Sequence, residues 1–404
     1  MGKKKNILTE LINKGVDLPC PESVEIGDNV NPDRISGEGV VIHAGCKIFG
    51  EKTLILKGTV VGYEAPATIV NCQVGPHVIL NGGFFKNSVF LNHVSIGSGA
   101  HVRDGCIFEE FSSAAHSVGV KQTILFPYVT LGSQINFCDC LMAGGTGEKN
   151  HSEVGSSYIH FNFTPRQDKA TPSLMGDVPK GVMLNQAPIF MGGQGGLVGP
   201  CRLAYGITVA AGTIVRKDEL RENRLIFGGA PKNGNIAYSP GEYSNVRRIF
   251  DHNVNYIANL VALYQWYRHV RTCFIGDEFP EELCQGLMDT LALALAERLK
   301  RLEEFIQKAS VNLSSQEKQS AYVQKIVDRW PEIRERMEQF RRGARDNPQK
   351  DAFISIIEKI PATEKSDYIT AIRNLSKNDK QTGTTWLQGV VDQVNGEING
   401  IVDK

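Results

Sequence analysis

Apolar residues recur at every sixth position over long stretches of this chain. Ile42, Ile48, Leu54 and Val60 form one run, Ile96, Val102 and Phe108 a second, and Leu125, Leu131 and Phe137 a third. The cleanest is Leu197, Leu203, Val209 and Val215. Gly, Asn or Asp recurs between the markers, as in Ile26–Val30, Val74–Val78 and Ile96–Val102. An α-helix turns by about 100° per residue, so a six-residue step leaves its markers off any one face. A simple antiparallel strand alternates with period two and has no use for a recurring glycine. A triangular coil fits. Each side is one short strand, each corner a tight turn, and three hexads close one coil. The apolar marker points into the prism, and a small residue suits a corner that needs positive φ. Stacked coils then pair as parallel ladders whose only open edges lie at the ends.

The repeat does not run the whole length. Of 41 glycines in 404 residues, 33 fall in the first 240 positions and 8 in the last 164, whereas charged residues number 41 and 47. Pro240 and Gly241 punctuate the change. Beyond it the pattern is helical. Apolar residues sit at helical spacing from Ile249 to Phe274, and again after Pro280, a residue suited to a first turn. A third helix is expected over Ser314–Gly343, kinked or restarted at Pro331. Shorter helices are expected near Ala352–Ile360, Tyr368–Leu375 and Trp386–Ile401. The division is therefore an N-terminal helical segment (1–23), a parallel coil of strands (24–240) and an all-α C-terminal domain (241–404).

Lys+Arg and Asp+Glu both number 44, so the chain has no formal net charge. That argues against a nucleic acid or an anionic membrane as the principal partner. No apolar stretch is long enough to span a bilayer, and the N-terminal segment reads as an amphipathic helix rather than a signal peptide. The nine cysteines include one close pair, Cys138 and Cys140, expected on the same face of a strand. No second pair completes a zinc site. Reduced thiols in a cytoplasmic protein are expected.

The hexads, with Leu197–Glu219 as the most specific stretch and Arg224–Ile236 as an exit segment, resemble the hexapeptide-repeat acyltransferases. The resemblance extends over about residues 24–236. It is greatest to the acetyltransferase domain of the bifunctional N-acetylglucosamine-1-phosphate uridyltransferases/glucosamine-1-phosphate acetyltransferases. It implies a left-handed parallel β-helix, mainly β, followed here by an all-α helical domain. It also implies a homotrimer, acetyl-CoA as co-substrate, a small-molecule sugar acceptor from nucleotide-sugar metabolism, and no metal. No Gly-rich nucleotide loop opens the chain, so pyrophosphorylase activity is not expected.

In that family a His takes the proton of a sugar amine, which then attacks the thioester. Here Asn150-His151-Ser152 with Val154-Gly155 resembles the segment around that His, and Asn162 to Asp177 resembles the sugar-binding loop. The resemblance makes His151 the base, with His160 competing for the role. It places Asn162 on the sugar, and Arg166, Lys169, Lys121 or Arg103 on its phosphate. Phe163 stands where the family has Tyr. Eleven residues separate His151 from Asn162, about half the family spacing. Gly193, Gln194, Ala210 and Ala211 fall on coils that line the pantetheine groove, where close approach and small side chains suit a thin thioester arm; tight packing of the loop is the other reading of these glycines. His43, His77, His93, His101 and His116 read as residues of solvated coil corners. A β-helix that binds ligands or partners without catalysis is the alternative function.

Overall fold

The structure is a computed structural model that describes residues 2–162, 169–228, 234–235, 243, 245–311, 317–343 and 347–404. A short helix, α1 (Gly2–Lys14), leads into a bridge between Asp17 and Val41 and so into the first coils. From there the chain winds as a parallel β-solenoid with three faces. Face 1 is a ten-stranded sheet that begins at Val41–Ile42 and ends at Leu225–Ile226. Faces 2 and 3 form one sixteen-stranded sheet, because the strands Gly119–Leu125 and Asn136–Met142 turn the corner between them without a break.

The inner column of face 1 carries Ile42, Val61, Leu80, Ile96, Leu131 and Val154, none of them exposed. The expected markers mostly point inward, with an instructive slip. Nineteen residues separate Val41 from its partner Val60 one coil on, not eighteen. Leu54 and Val60 therefore fall on the outer side of their strands, and their neighbours Ile55 and Val61 fill the prism instead. Corners need a left-handed residue at each coil. Glycine serves at Gly39 and Gly58, and His77, His93, Phe111 and Tyr128 succeed them along the same edge, all with φ between 56° and 69°. Their rings stack in sequence at centroid distances of 5.1, 4.9 and 5.3 Å, which offsets the cost of positive φ in side-chain-bearing residues.

Asp139 is another such corner, with φ 63°. It separates Cys138 from Cys140, so the two thiols lie on faces 2 and 3 rather than together, as the strand reading expected. All nine cysteines are free thiols.

The helices are α2 (Val178–Gly181), inserted in the solenoid, and then α3 (Val246–His269), α4 (Glu281–Val311), α5 (Glu317–Arg342), α6 (Pro348–Glu358), α7 (Tyr368–Asn374) and α8 (Lys377–Val402). Helix α5 runs through Pro331 as one helix, and α8 begins well before Trp386. The tail packs on face 3, with α4 against the strands Gln73–Val74, Ser88–Phe90 and Cys106–Phe108 and α3 against Ser173–Met175. That explains why face 3 is apolar on both sides. Its outward column, Val89, Ile107, Ile124, Leu141 and Leu174, is almost wholly buried. Each such side chain contributes roughly 2 kcal/mol by leaving water.

Three acidic side chains on the solenoid fix the tail. Arg298 Nη2 donates to Asp139 Oδ1 at 2.6 Å, and Arg271 Nη2 to Glu110 Oε1 at 2.5 Å. The Tyr267 hydroxyl lies 2.5 Å from Glu109 Oε1. All six side chains are buried, so each pair depends on its partner for the loss of hydration. Among the described residues, no helix is long and apolar enough to cross a membrane.

Candidate functional site

Two long insertions interrupt the coils, and both candidate histidines lie near them. Twenty-three residues separate Thr130 from its partner Glu153, and thirty-seven separate Glu153 from Phe190. The first insertion bulges at the corner between faces 3 and 1. It forms an antiparallel hairpin, Gly145–Gly147 with Asn150–His151. Gly145, at φ 101°, has no room for a side chain: a Cβ there would stand 2.7 Å from the His151 Cα. Ser152 pins the base of the hairpin, donating to Ala143 O and accepting from Ile189 N–H, both at 2.9 Å.

His151 is half-buried on this hairpin. Its Nδ1 lies 2.6 Å from the carbonyl of Glu148. A carbonyl only accepts, so Nδ1 carries the proton and Nε2 keeps the lone pair. Nε2 faces Glu153 Oε2 at 3.9 Å.

His160 is different. It belongs to the inner column of face 2, next to Phe137 and paired with Leu197. It is 2% exposed. Nδ1 donates to Cys138 O at 2.7 Å, Nε2 accepts from Ser173 Oγ at 2.8 Å, and Ser173 Oγ accepts from Cys201 N–H at 3.1 Å. Burial pushes its pKa down to about 4. Both ring nitrogens are occupied inside the prism, which leaves no free lone pair for a substrate proton.

The remaining candidates are spread over other edges. Asn162 and Lys169 flank the second insertion, at the corner between faces 2 and 3, with Asn162 half-buried and Lys169 exposed. Arg166 lies outside the described residues, as does Phe163. The same loop is tied to the tail where Asn253 Nδ2 donates to Ala170 O at 3.0 Å. Lys121 stands lower on that edge, with its Nζ 3.9 Å from Glu297 Oε1 of α4. Arg103 donates to Cys138 Sγ at 3.7 Å.

Gly193, Gln194, Ala210 and Ala211 occupy the third corner, between faces 1 and 2. Gln194 is the left-handed corner residue there, φ 55°, donating its N–H to Ser156 O. The surrounding glycines are used for contact between coils: a Cβ on Gly192 would meet Ala211 N at 2.4 Å, and one on Gly195 would meet Thr213 O at 2.8 Å. His151, the Asn162–Lys169 pair and the Gly193–Ala211 group thus stand on three different edges of one prism.

Sequence reasoning missed the three clamps and the aromatic edge. The signal for the face the tail covers was present: the strands Ser88–Phe90, Cys106–Phe108 and Ser173–Met175 lack the polar outward residue that Ser95–Ile96, Thr130–Leu131 and Glu153–Val154 have. Among the described residues, no group of three or more His, Cys, Asp or Glu side chains is placed to hold a metal ion.

No protein-family model matches the chain. It is 26% identical over 216 residues to the bifunctional protein GlmU of Pelobacter propionicus, a match that covers 53% of this chain and 42% of that protein. GlmU of Thermotoga petrophila is 25% identical over 212 residues, covering 52% and 42%, and that of Oleidesulfovibrio alaskensis 23% over 251 residues, covering 61% and 45%. The chain's relatives are the bifunctional GlmU proteins. The matches span less than half of those proteins' length. The parallel solenoid is consistent with a hexapeptide-repeat acetyltransferase domain.

Proposed function

We propose that the solenoid is an acyl-CoA-dependent acyltransferase that N-acetylates an amino sugar or sugar phosphate, in the cytoplasm, as a homotrimer. The observation that carries this reading is the state of His151. It is raised on a rigid hairpin, its Nδ1 proton is held by Glu148 O, and its Nε2 is free to accept a proton beside Glu153. Similarity to GlmU supports the reaction class.

An ammonium has no lone pair, so the acceptor must lose a proton before or during attack. His151 Nε2 takes it. The amine nitrogen then bonds to the thioester carbonyl carbon, the C–S bond breaks, the nitrogen gives up its second proton to the departing CoA thiolate, and His151 releases the first to solvent. Asn162 orients the acceptor, Lys169, Arg166 and Lys121 meet its anionic group, and the corner of Gly193, Gln194, Ala210 and Ala211 holds the pantetheine arm. Because these groups stand on different edges of one prism, a single site that uses them all is assembled between copies. The deciding experiment is acetyl transfer from acetyl-CoA to a panel of amino-sugar phosphates, paired with thermal shift by acetyl-CoA.

The second reading is a solenoid that binds without catalysis. Lys121 engaged with Glu297 of the tail favours it, since a phosphate clamp needs that cation. Absence of any acetyl-CoA binding by the wild type selects this reading.

A further inference from the structure

Beside the Glu110–Arg271 clamp lies a cavity of about 700 Å³ that touches none of the proposed acyltransferase residues. Its volume is that of a small-molecule site. One wall is the prism edge at Asn92, His93 and Phe111, and the other is the turn from Phe274 to Phe279 together with Lys365–Tyr368 of the tail.

Three acceptors along this wall lack a donor. Glu110 is 7% exposed, and its Oε1 is taken by Arg271 while Oε2 reaches no donor. Asn92 Oδ1 and Glu278 Oε2 also reach none. All three are acceptors. Arg271 leaves Nε and Nη1 without partners as well, but its guanidinium lies over aromatic rings, with its carbon 3.8 Å from the Tyr368 centroid and 4.3 Å from that of Phe279. The other cations are engaged too. Lys57 pairs with Glu278 Oε1 at 2.6 Å, and Lys365 donates to Glu358 O. Asp277 and Asp367 add negative charge at the exposed rim. Unpaired acceptors and surplus negative charge beside an aromatic wall select a ligand with several N–H donors and a positive charge.

We propose that this cavity binds a small organic ammonium compound, its N–H groups on Glu110, Glu278 and Asn92 and its carbon body against Phe111 and Phe274. The chemistry is shared by aliphatic polyamines and by amino sugars. The inference stands apart from the acyltransferase reading, because it needs neither acetyl-CoA nor His151.

The test is calorimetric titration of the full chain, without acetyl-CoA, with putrescine, spermidine and glucosamine, and with the matching diol and glucose as neutral controls. At least one amine is expected to bind saturably with Kd below about 1 mM while the neutral controls do not. Saturation by putrescine or spermidine alone assigns the site to polyamines, and saturation by glucosamine alone to amino sugars. Glu110→Gln also breaks a clamp, so the deciding variant is the rim pair Asp277→Asn/Glu278→Gln, expected to weaken binding by about tenfold or more. Failure of all three amines, equal binding of a neutral control, or unchanged affinity in the rim variant overturns the proposal.

Discussion

His160 Nε2 and Ser173 Oγ meet at 2.8 Å inside the prism, linking face 2 to face 3 through a polar bond in an otherwise apolar column. The pair makes folding sensitive to acid. Burial holds the folded pKa of His160 at about 4, below its ordinary 6.5. Between these values the unfolded chain binds the extra proton, so the stability contributed above pH 6.5 is lost as pH falls towards 4. The loss amounts to roughly 3 kcal/mol. Urea midpoints measured across this window should fall with acidification. His160→Leu should be less stable at pH 7, since it strands Cys138 O and Ser173 Oγ, yet show a flatter acid limb.

Glu109 acts in the opposite sense. Burial and the neighbouring Glu110 push its pKa up to about 8, above the ordinary 4.5. The folded state therefore binds the extra proton between those values, and the contribution present below pH 4.5 is lost as pH rises through 8. Glu109→Gln keeps a partner for the Tyr267 hydroxyl and removes the ionisation. Its thermal midpoint should decline less than that of the wild type between pH 6.5 and 8.5, where His160 no longer titrates. An identical alkaline decline in the variant would rule out Glu109 as its source.

The Asp139–Arg298 clamp gives a third expectation. Removing one member of a buried pair leaves an uncompensated charge, at a cost of about 3–5 kcal/mol. Arg298→Leu should lower stability by that order in chemical denaturation. Asp139→Asn/Arg298→Leu should recover part of the loss, because no buried charge then remains. A double variant as unstable as the sum of the singles would show that the two residues act independently.

These outcomes bear on what the sequence could reveal. The six-residue spacing marks interior residues well where coils hold eighteen residues, as from Phe190 to Thr208, and slips by one where they hold nineteen, as at Leu54 and Val60. Cys138 and Cys140 were misplaced because nothing in a C-x-C pair announces that Asp139 turns a corner. His160 is harder still. Its side-chain type suggests chemistry, and only its place in the register, opposite Leu197 and after Phe137, shows that it faces inward. The clamps join residues about 160 positions apart, such as Asp139 and Arg298, and no local pattern encodes such pairing.

Assembly can be tested separately from chemistry. The tail covers face 3, so a homotrimer as proposed would pack through faces 1 and 2, where Phe190, Leu225, Ile159 and Ile214 are exposed. Sedimentation at micromolar concentration should give three times the chain mass of 44.4 kDa. Phe190→Arg and Ile159→Arg should lower that mass without changing the circular dichroism. A wild type that sediments as a single chain rejects the trimer.

The last expectation concerns His151 and Lys169. If His151 Nε2 removes the acceptor proton, His151→Ala should lower kcat by about 100-fold or more. The fold should survive, since Ser152, not His151, pins the hairpin to Ala143 and Ile189. A loss of kcat with the acceptor KM and the circular dichroism unchanged separates catalysis from a merely structural role. Lys169→Ala should chiefly raise the acceptor KM, because a cation that meets a phosphate acts equally on the ground state and the transition state. Normal turnover in His151→Ala would place the proton transfer elsewhere, and the buried, doubly bonded His160 is not an available substitute.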